Sequence, residues 1–221
     1  MRRKIILVLA LLIGAIPLLA IPIAGRVRVT GRPPGTALTT IVYAEPLDGG
    51  SRPQPGRFTL RQSKKAFHPR VLAIPTGSVV QFPNEDSLFH NVFSLNPPEQ
   101  FDLGLYRSGV SKTQTFKEPG VYRVFCNIHP QMAAVILVVP TSASYIVEVD
   151  ASGNYRLDLP AGRYRITAWS ERAEPVSAEI TVSAGTTAFP ELVLDESKAV
   201  TGARTNKFGQ AYPKSDPGGK K

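Results

Sequence analysis

Four side chains in this sequence could do chemistry together. Cys126 is the chain's only Cys, and it opens the run Cys126-Asn127-Ile128-His129-Pro130-Gln131-Met132, which also holds one of three His and one of two Met. A thiolate, an imidazole and a thioether are the donors that soft copper prefers. A trigonal copper site with a weak axial Met needs a second imidazole. His90, in Ser87-Leu88-Phe89-His90-Asn91-Val92-Phe93, can supply it. Taken singly, buried Cys and Met are ordinary core residues; it is the set of four that points to metal. Zinc would use Cys and His but rarely a thioether, so Met132 tips the choice to copper. A binuclear copper centre would need a second Cys.

The remaining polar residues offer less. His68, in Lys65-Ala66-Phe67-His68-Pro69-Arg70, has no ligand spacing around it and reads as an exposed loop residue. Glu85-Asp86 reads as a pair of solvated carboxylates on a turn, and Trp169 as a core anchor. No Gly-rich phosphate loop and no Ser-His-Asp ordering supports an enzyme, so none is expected.

The elements that must position the four donors are short strands. Twenty Pro and eighteen Gly in 221 residues, with many Val, Thr and Ile, give an all-β pattern. Strands are expected over 57–62, 70–74, 78–82, 91–95, 111–116, 120–126 and 133–139, broken by Pro75-Thr76-Gly77, Pro83-Asn84-Glu85-Asp86 and Glu118-Pro119-Gly120. That density suggests an antiparallel sandwich over residues 57–140. Cys126 ends one strand, and a loop stiffened by Pro130 then offers His129 and Met132. A second set of strands fills residues 145–195, where Tyr164-Arg165-Ile166-Thr167-Ala168-Trp169 alternates as a sheet with one wet face. Residues 26–45 carry two more strands, 26–30 and 39–45.

The formal charge of +9 lies mostly at the two ends of the chain. Arg2, Arg3 and Lys4 open it, and Lys198, Arg204, Lys207, Lys214, Lys220 and Lys221 against Asp216 close it. The part between is nearly neutral, so no nucleic-acid partner is expected. Residues 1–24, basic then apolar, form a targeting segment; a cleaved signal peptide and an uncleaved anchor both fit it. Either way the rest is exported, to the periplasm or the outer face of the cytoplasmic membrane. Retention of the segment would attach the protein to the membrane. Residues 197–221 lack apolar periodicity and are expected to be a disordered basic tail, dispensable for fold and metal.

Residues 57–140 resemble a cupredoxin, the plastocyanin and amicyanin family of blue copper proteins. The Cys126-x2-His129-x2-Met132 spacing is similar to amicyanin's short ligand loop, and His90-Asn91 matches the family's His-Asn pair. The resemblance implies one type 1 copper ion held by His90, Cys126, His129 and Met132, with Asn91 tying the two ligand loops together. It implies a carrier of single electrons between a redox protein donor and acceptor. Asp150-Ala151-Ser152-Gly153-Asn154-Tyr155 and Leu159-Pro160-Ala161-Gly162-Arg163-Tyr164 resemble a carboxypeptidase regulatory-like module. The chain as a whole resembles bacterial exported plastocyanin-like proteins associated by name with methylamine utilisation. The expected fold is therefore a cupredoxin Greek-key β-sandwich plus a second small Ig-like β-sandwich. In one arrangement the first is inserted into the second, so that residues 26–45 pair with the 146–194 sheet; in the other the two follow in sequence. The rival function is a cell-surface binding or scaffold protein with structural copper or none.

Overall fold

A computed structural model describes residues 20–36, 38–49, 53–95, 97–198, 206–208 and 210. Among these the regular structure is all strand apart from one 3-10 turn at Ala143–Tyr145. In chain order the strands are β1 (Ile21–Thr30), β2 (Thr40–Pro46), β3 (Arg57–Thr59), β4 (Arg61–Ser63), β5 (Ala66–His68), β6 (Val71–Pro75), β7 (Val79–Pro83), β8 (His90–Ser94) and β9 (Phe101–Tyr106). They continue with β10 (Ser111–Thr115), β11 (Gly120–Phe125), β12 (Ala133–Val139), β13 (Ile146–Glu148), β14 (Asn154–Leu159), β15 (Gly162–Ser170), β16 (Val176–Val182) and β17 (Leu192–Asp195).

These strands make two β-sandwiches. In the first, a five-stranded sheet ordered β6-β12-β11-β8-β9 faces a three-stranded sheet ordered β10-β7-β3, with the β4–β5 hairpin at one end. Phe82, Phe116, Tyr122, Val124, Ile136 and Leu60 fill the space between, each fully buried. In the second, sheet β14-β1-β17 packs on sheet β13-β2-β15-β16 around Ile23, Val42, Leu157, Leu159, Ile166 and Leu194. The run Ala133-Ala134-Val135-Ile136-Leu137-Val138-Val139 is apolar throughout because β12 is covered on both faces. Ala134, Ile136 and Val138 point into the first core, while Val135, Leu137 and Val139 meet Ile41 and Trp169 of the second sandwich. Arg70 and Arg123 reach across this boundary to the carboxylate of Glu171.

The two strands that precede the first sandwich hydrogen-bond to the second one. β1 pairs antiparallel with β14 and parallel with β17, and β2 pairs with β13 and β15. The tight approach of β1 to the Asp150–Asn154 turn explains Gly153. It sits at φ +87°, and a Cβ there would lie 2.5 Å from the Val27 carbonyl oxygen.

Several expected boundaries move. β5 and β9 were not expected as strands; β5 is three residues long and β9 is interrupted by Gly104, so neither carries a clear alternation. Ile21–Ala24, expected to close a targeting segment running to residue 24, belong to β1. Ile21 is paired with Leu159 and Ile23 with Leu157, and Ile23 is fully buried. The last residues of the apolar run are thus the start of a core strand. Residues 1–19 lie outside the described residues. Among the described residues no helix is long and apolar enough to cross a membrane.

A chain starting at Ala20 is expected to keep the thermal midpoint of the full chain. One starting at Arg26 loses most of the β1–β14 ladder and should melt well below it, and Ile23→Ala should cost about 2–5 kcal/mol. An unchanged midpoint for the chain starting at Arg26 would place β1 wrongly.

Candidate metal centre

Three of the four expected donors converge at one end of the first sandwich. Nδ1 of His90, Sγ of Cys126 and Nδ1 of His129 all lie within 4.8 Å of one another. The edges of the triangle are 3.0 Å between the two Nδ1 atoms, 3.7 Å from Sγ to His129 and 4.0 Å from Sγ to His90. Donors about 2.0–2.3 Å from a central ion in a trigonal plane stand ~3.5–4 Å apart. The two sulfur edges match that size, and the nitrogen–nitrogen edge is shorter by a few tenths of an ångström. A thiolate with two imidazoles also has the donor chemistry of a copper site. The residues therefore fit the ion.

Each donor is placed by its strand. His90 is the first residue of β8, a strand buried at all its positions. It was expected just outside that strand. Cys126 follows the last residue of β11, and Met132 precedes the first of β12. The loop between is closed by bonds from the Cys126 N–H to the Met132 carbonyl, 3.3 Å, and from the Met132 N–H to the His129 carbonyl, 3.0 Å. Cys126 and Met132 are buried, while His129 is half-buried and faces outward beside exposed Ile128. Burial pulls the His129 pKa below its ordinary value, with His90 and Lys65 adding to the effect and Asp86 opposing it. A neutral imidazole at neutral pH leaves a ring nitrogen free to bind a metal. His68, by contrast, is an exposed residue on β5 whose Nε2 lies 3.2 Å from the Ser63 carbonyl.

Asp86 is not the solvated carboxylate the sequence suggests. His90 Nε2 lies 2.8 Å from its Oδ2. The same carboxylate accepts the N–H of Lys64 at 2.6 Å and of Lys65 at 2.8 Å. Those lysines form the β4–β5 turn, both at φ 54°, a backbone conformation that side chains other than Gly adopt at a cost. Asp86 thus holds a strained turn and a buried imidazole at once. Burial would raise its pKa, but the hydrogen bonds from Lys65, His90 and Lys64 outweigh that and hold it below the usual carboxylate range. An ionised acceptor at Nε2 keeps the proton there, so Nδ1 turns a bare lone pair toward Cys126 and His129. The signal was the Asp86-x3-His90 spacing, which is invisible as a contact until the turn brings both to one place.

Asn91 links the two ligand segments. Its Oδ1 accepts the Asn127 N–H at 3.1 Å, and its Nδ2 donates to Asp102 Oδ1 at 2.6 Å. The basic tail, expected to be disordered from residue 197, also contributes here. The Lys207 N–H donates to Asn127 Oδ1 at 3.0 Å, and Lys207 Nζ lies 2.8 Å from Asp102 Oδ2. Asn206 organises this piece locally, its Oδ1 accepting the N–H groups of Phe208 and Gln210, both at 3.0 Å. Absence of apolar periodicity misses such a segment, because polar contacts and an Asx turn order it instead of a buried face.

No protein-family model matches the chain. It is 28% identical over 103 residues to amicyanin-alpha of Methylorubrum extorquens, covering 45% of this chain and 87% of that protein. This likeness supports a cupredoxin-like fold for the part it covers. Among solved structures the chain is similar to a purple cupredoxin from Nitrosopumilus maritimus, at 25% identity over 37% of this chain and 98% of that one, with a TM-score of 0.34. It is similar to amicyanin from Paracoccus versutus at 23% identity, over 38% of this chain and 81% of that one, with a TM-score of 0.36. A copper-containing nitrite reductase from Thermus scotoductus shares 31% identity over 43% of this chain, with a TM-score of 0.36, but the chain spans only 25% of that protein.

Asp86→Asn should lower the metal affinity of the site roughly 10–100-fold, the usual effect of losing a carboxylate behind a His ligand. It should also change the acid stability of the metal-free protein. The folded-state pKa of Asp86 is depressed, so its contribution is full above the unfolded value near about pH 4 and is lost as pH falls through the folded value. The gap in thermal midpoint between the native chain and Asp86→Asn should therefore be complete at pH 7 and shrink below about pH 4. A gap independent of pH would mean that the carboxylate charge plays no part.

Proposed function

We propose that this chain is an exported type 1 copper protein that carries single electrons between two redox proteins. The observation that carries the reading is the convergence of two Nδ1 atoms and one thiol sulfur, with the far nitrogen of His90 already tied to Asp86. His90, Cys126 and His129 would hold the ion, with Met132, buried at the end of the loop, as a weaker fourth donor. Copper, when bound, supplies the one-electron couple.

The protein's own part is to hold the donors still. His90 cannot rotate, because Nε2 is bonded and the whole of β8 is buried. Cys126 cannot shift without breaking the loop closure to Met132 and the Asn91–Asn127 bond next to it. Donors that do not move between oxidation states keep the reorganisation of electron transfer small. The half-buried edge of His129 is the natural exit for the electron. Ile128, next to it in the ligand loop, and Leu88 and Phe89, just before His90 in sequence, are exposed. An apolar rim of this kind suits brief contact with a redox partner, since it is easily desolvated and makes few bonds that must break on release.

The sequence likeness to amicyanin-alpha supports the copper and electron-carrier reading. Export is supported by the basic and apolar residues that open the sequence. The strand pairing supports a further proposal on domains. The cupredoxin module, residues 57–140, is inserted into the second sandwich, whose first two strands come from residues 21–46 and the rest from residues 145–195. That sandwich we take as carboxypeptidase regulatory-like.

Purified protein loaded with Cu(II) should show an intense visible band from charge transfer between the Cys126 sulfur and the metal. Cys126→Ser should abolish the band, because a hydroxyl is a poor soft donor, even if the two imidazoles keep some copper. Met132→Leu keeps an apolar side chain of similar volume, so the fold should survive. Loss of the thioether destabilises Cu(II) more than Cu(I), so its reduction potential should rise. A colourless copper-loaded protein would favour the scaffold reading, and a blue Met132→Leu with an unchanged or lower potential would remove Met132 from the site.

A further inference from the structure

The contacts of Lys207 close a ring. Its backbone N–H donates to Asn127 Oδ1, the Asn127 N–H donates to Asn91 Oδ1, Asn91 Nδ2 donates to Asp102 Oδ1, and Asp102 Oδ2 accepts Lys207 Nζ. Asn91 follows His90 in sequence and Asn127 follows Cys126, so the ring clasps the backbone directly after two of the donors. Nearly eighty residues of chain separate Lys207 from Asn127, and the approach is therefore tertiary. We propose that Asn206, Lys207 and Phe208, with Gln210, form a strap belonging to the metal centre, and that Lys207 is a positioning residue which fixes the spacing between the His90 and Cys126 segments.

Three features argue for this over a chance surface contact. A lone exposed ion pair contributes little, because water screens it and two long side chains must be held in place. Here the ammonium contact is joined by a backbone N–H bond to the same segment, so the strap is anchored at two points on one residue. The strap is also shaped in advance. The Asn206 carboxamide accepts two N–H groups of its own turn, and the Asn206 N–H donates to the Gln210 carbonyl at 2.8 Å. This presents Lys207 with little further ordering to be done.

The ring also settles which way the Asn91 amide points. Its nitrogen needs an acceptor and its oxygen a donor, and Asp102 and the Asn127 N–H provide one each. Asp102 is itself fixed by the Gly104 N–H at 2.8 Å and by Lys207. Without Lys207, Asp102 and the Asn127 side chain each lose a partner, and the joint between the two ligand segments loosens.

The effect on the metal rests on the copper reading; the effect on the loop does not, and the test separates them. Four proteins are compared: the full chain, the full chain with Lys207→Met, a chain ending at Gln210, and a chain ending at Thr205. Amide hydrogen exchange is measured on each without metal, and the reduction potential on each with copper. In the metal-free proteins the Asn127 N–H should exchange roughly five- to tenfold faster in the chain ending at Thr205, about the factor that one hydrogen bond represents, and by a smaller factor in Lys207→Met, which loses the ammonium contact to Asp102 and keeps the backbone N–H bond to Asn127. Amides of β15 should be unaffected. The chain ending at Gln210 should match the full chain, since the strap is intact and only the later lysines are gone. With copper bound, the chain ending at Thr205 should show a potential displaced from that of the full chain and of the chain ending at Gln210, and Lys207→Met should be displaced in the same direction by less. Equal Asn127 exchange in all four would overturn the strap, and so would equal behaviour of the two shortened chains. Faster exchange with an unchanged potential would overturn the positioning role, and faster exchange in a protein that takes up no copper would leave the strap standing and overturn the copper reading alone.

Discussion

The register of β11 is the constraint on which the site depends. Phe125 is paired with Ala133 of β12 on one side and with Phe93 of β8 on the other. Cys126 follows immediately, so its sulfur is delivered beside the start of β8, where His90 stands. Side chains alternate along a strand, and a slip of one residue would send the sulfur to the opposite face and leave the two imidazoles without it. The register is secured by burial. Tyr122 and Val124 on one face of β11 are fully buried, and β12 is covered on both of its faces. A slip would expose these side chains to water, which is a far larger cost than any single contact at the site.

Around that register the site is held by polar links of an unequal kind. Asp86, largely buried, joins His90 to the β4–β5 turn, and the bonds it accepts are made by an ionised group in a partly dry place, where such bonds are strong. The ring through Asn91, Asp102 and Lys207 lies nearer solvent and is correspondingly softer. The inner link sets the orientation of one ligand; the outer ring sets the distance between two segments. The second sandwich acts on neither directly. Besides the ion pairs of Glu171 with Arg70 and Arg123, it packs on Val135, Leu137 and Val139 of the outer face of β12, and by covering them it lets β12 be apolar on both sides and so a firm backing for β11.

The candidate donors stood out in the sequence by residue type and short spacing, and three of them, His90, Cys126 and His129, are brought together by the fold. Cys126, His129 and Met132 fall within one loop, and His90 was the remaining His with a suitable turn before it. The sandwich strands with clear alternation or continuous apolar runs, such as β12 and β15, were legible for the same reason. What could not be read were features that depend on tertiary approach. Asp86 looks solvated until the turn at Lys64 and Lys65 meets it, and Lys207 looks like one basic residue of a tail until Asn127 and Asp102 are brought near. The start of β1 was hidden differently, since Ile21 and Ile23 are as apolar as the residues before them and only pairing with β14 distinguishes them.

Binding of one copper ion by the Cys126 sulfur together with the Nδ1 atoms of His90 and His129 is read directly by X-ray absorption at the copper edge of the loaded protein. The expected result is a short shell of one sulfur and two imidazole nitrogens around a single copper per chain. A shell of nitrogen and oxygen alone, with no short sulfur, would contradict it.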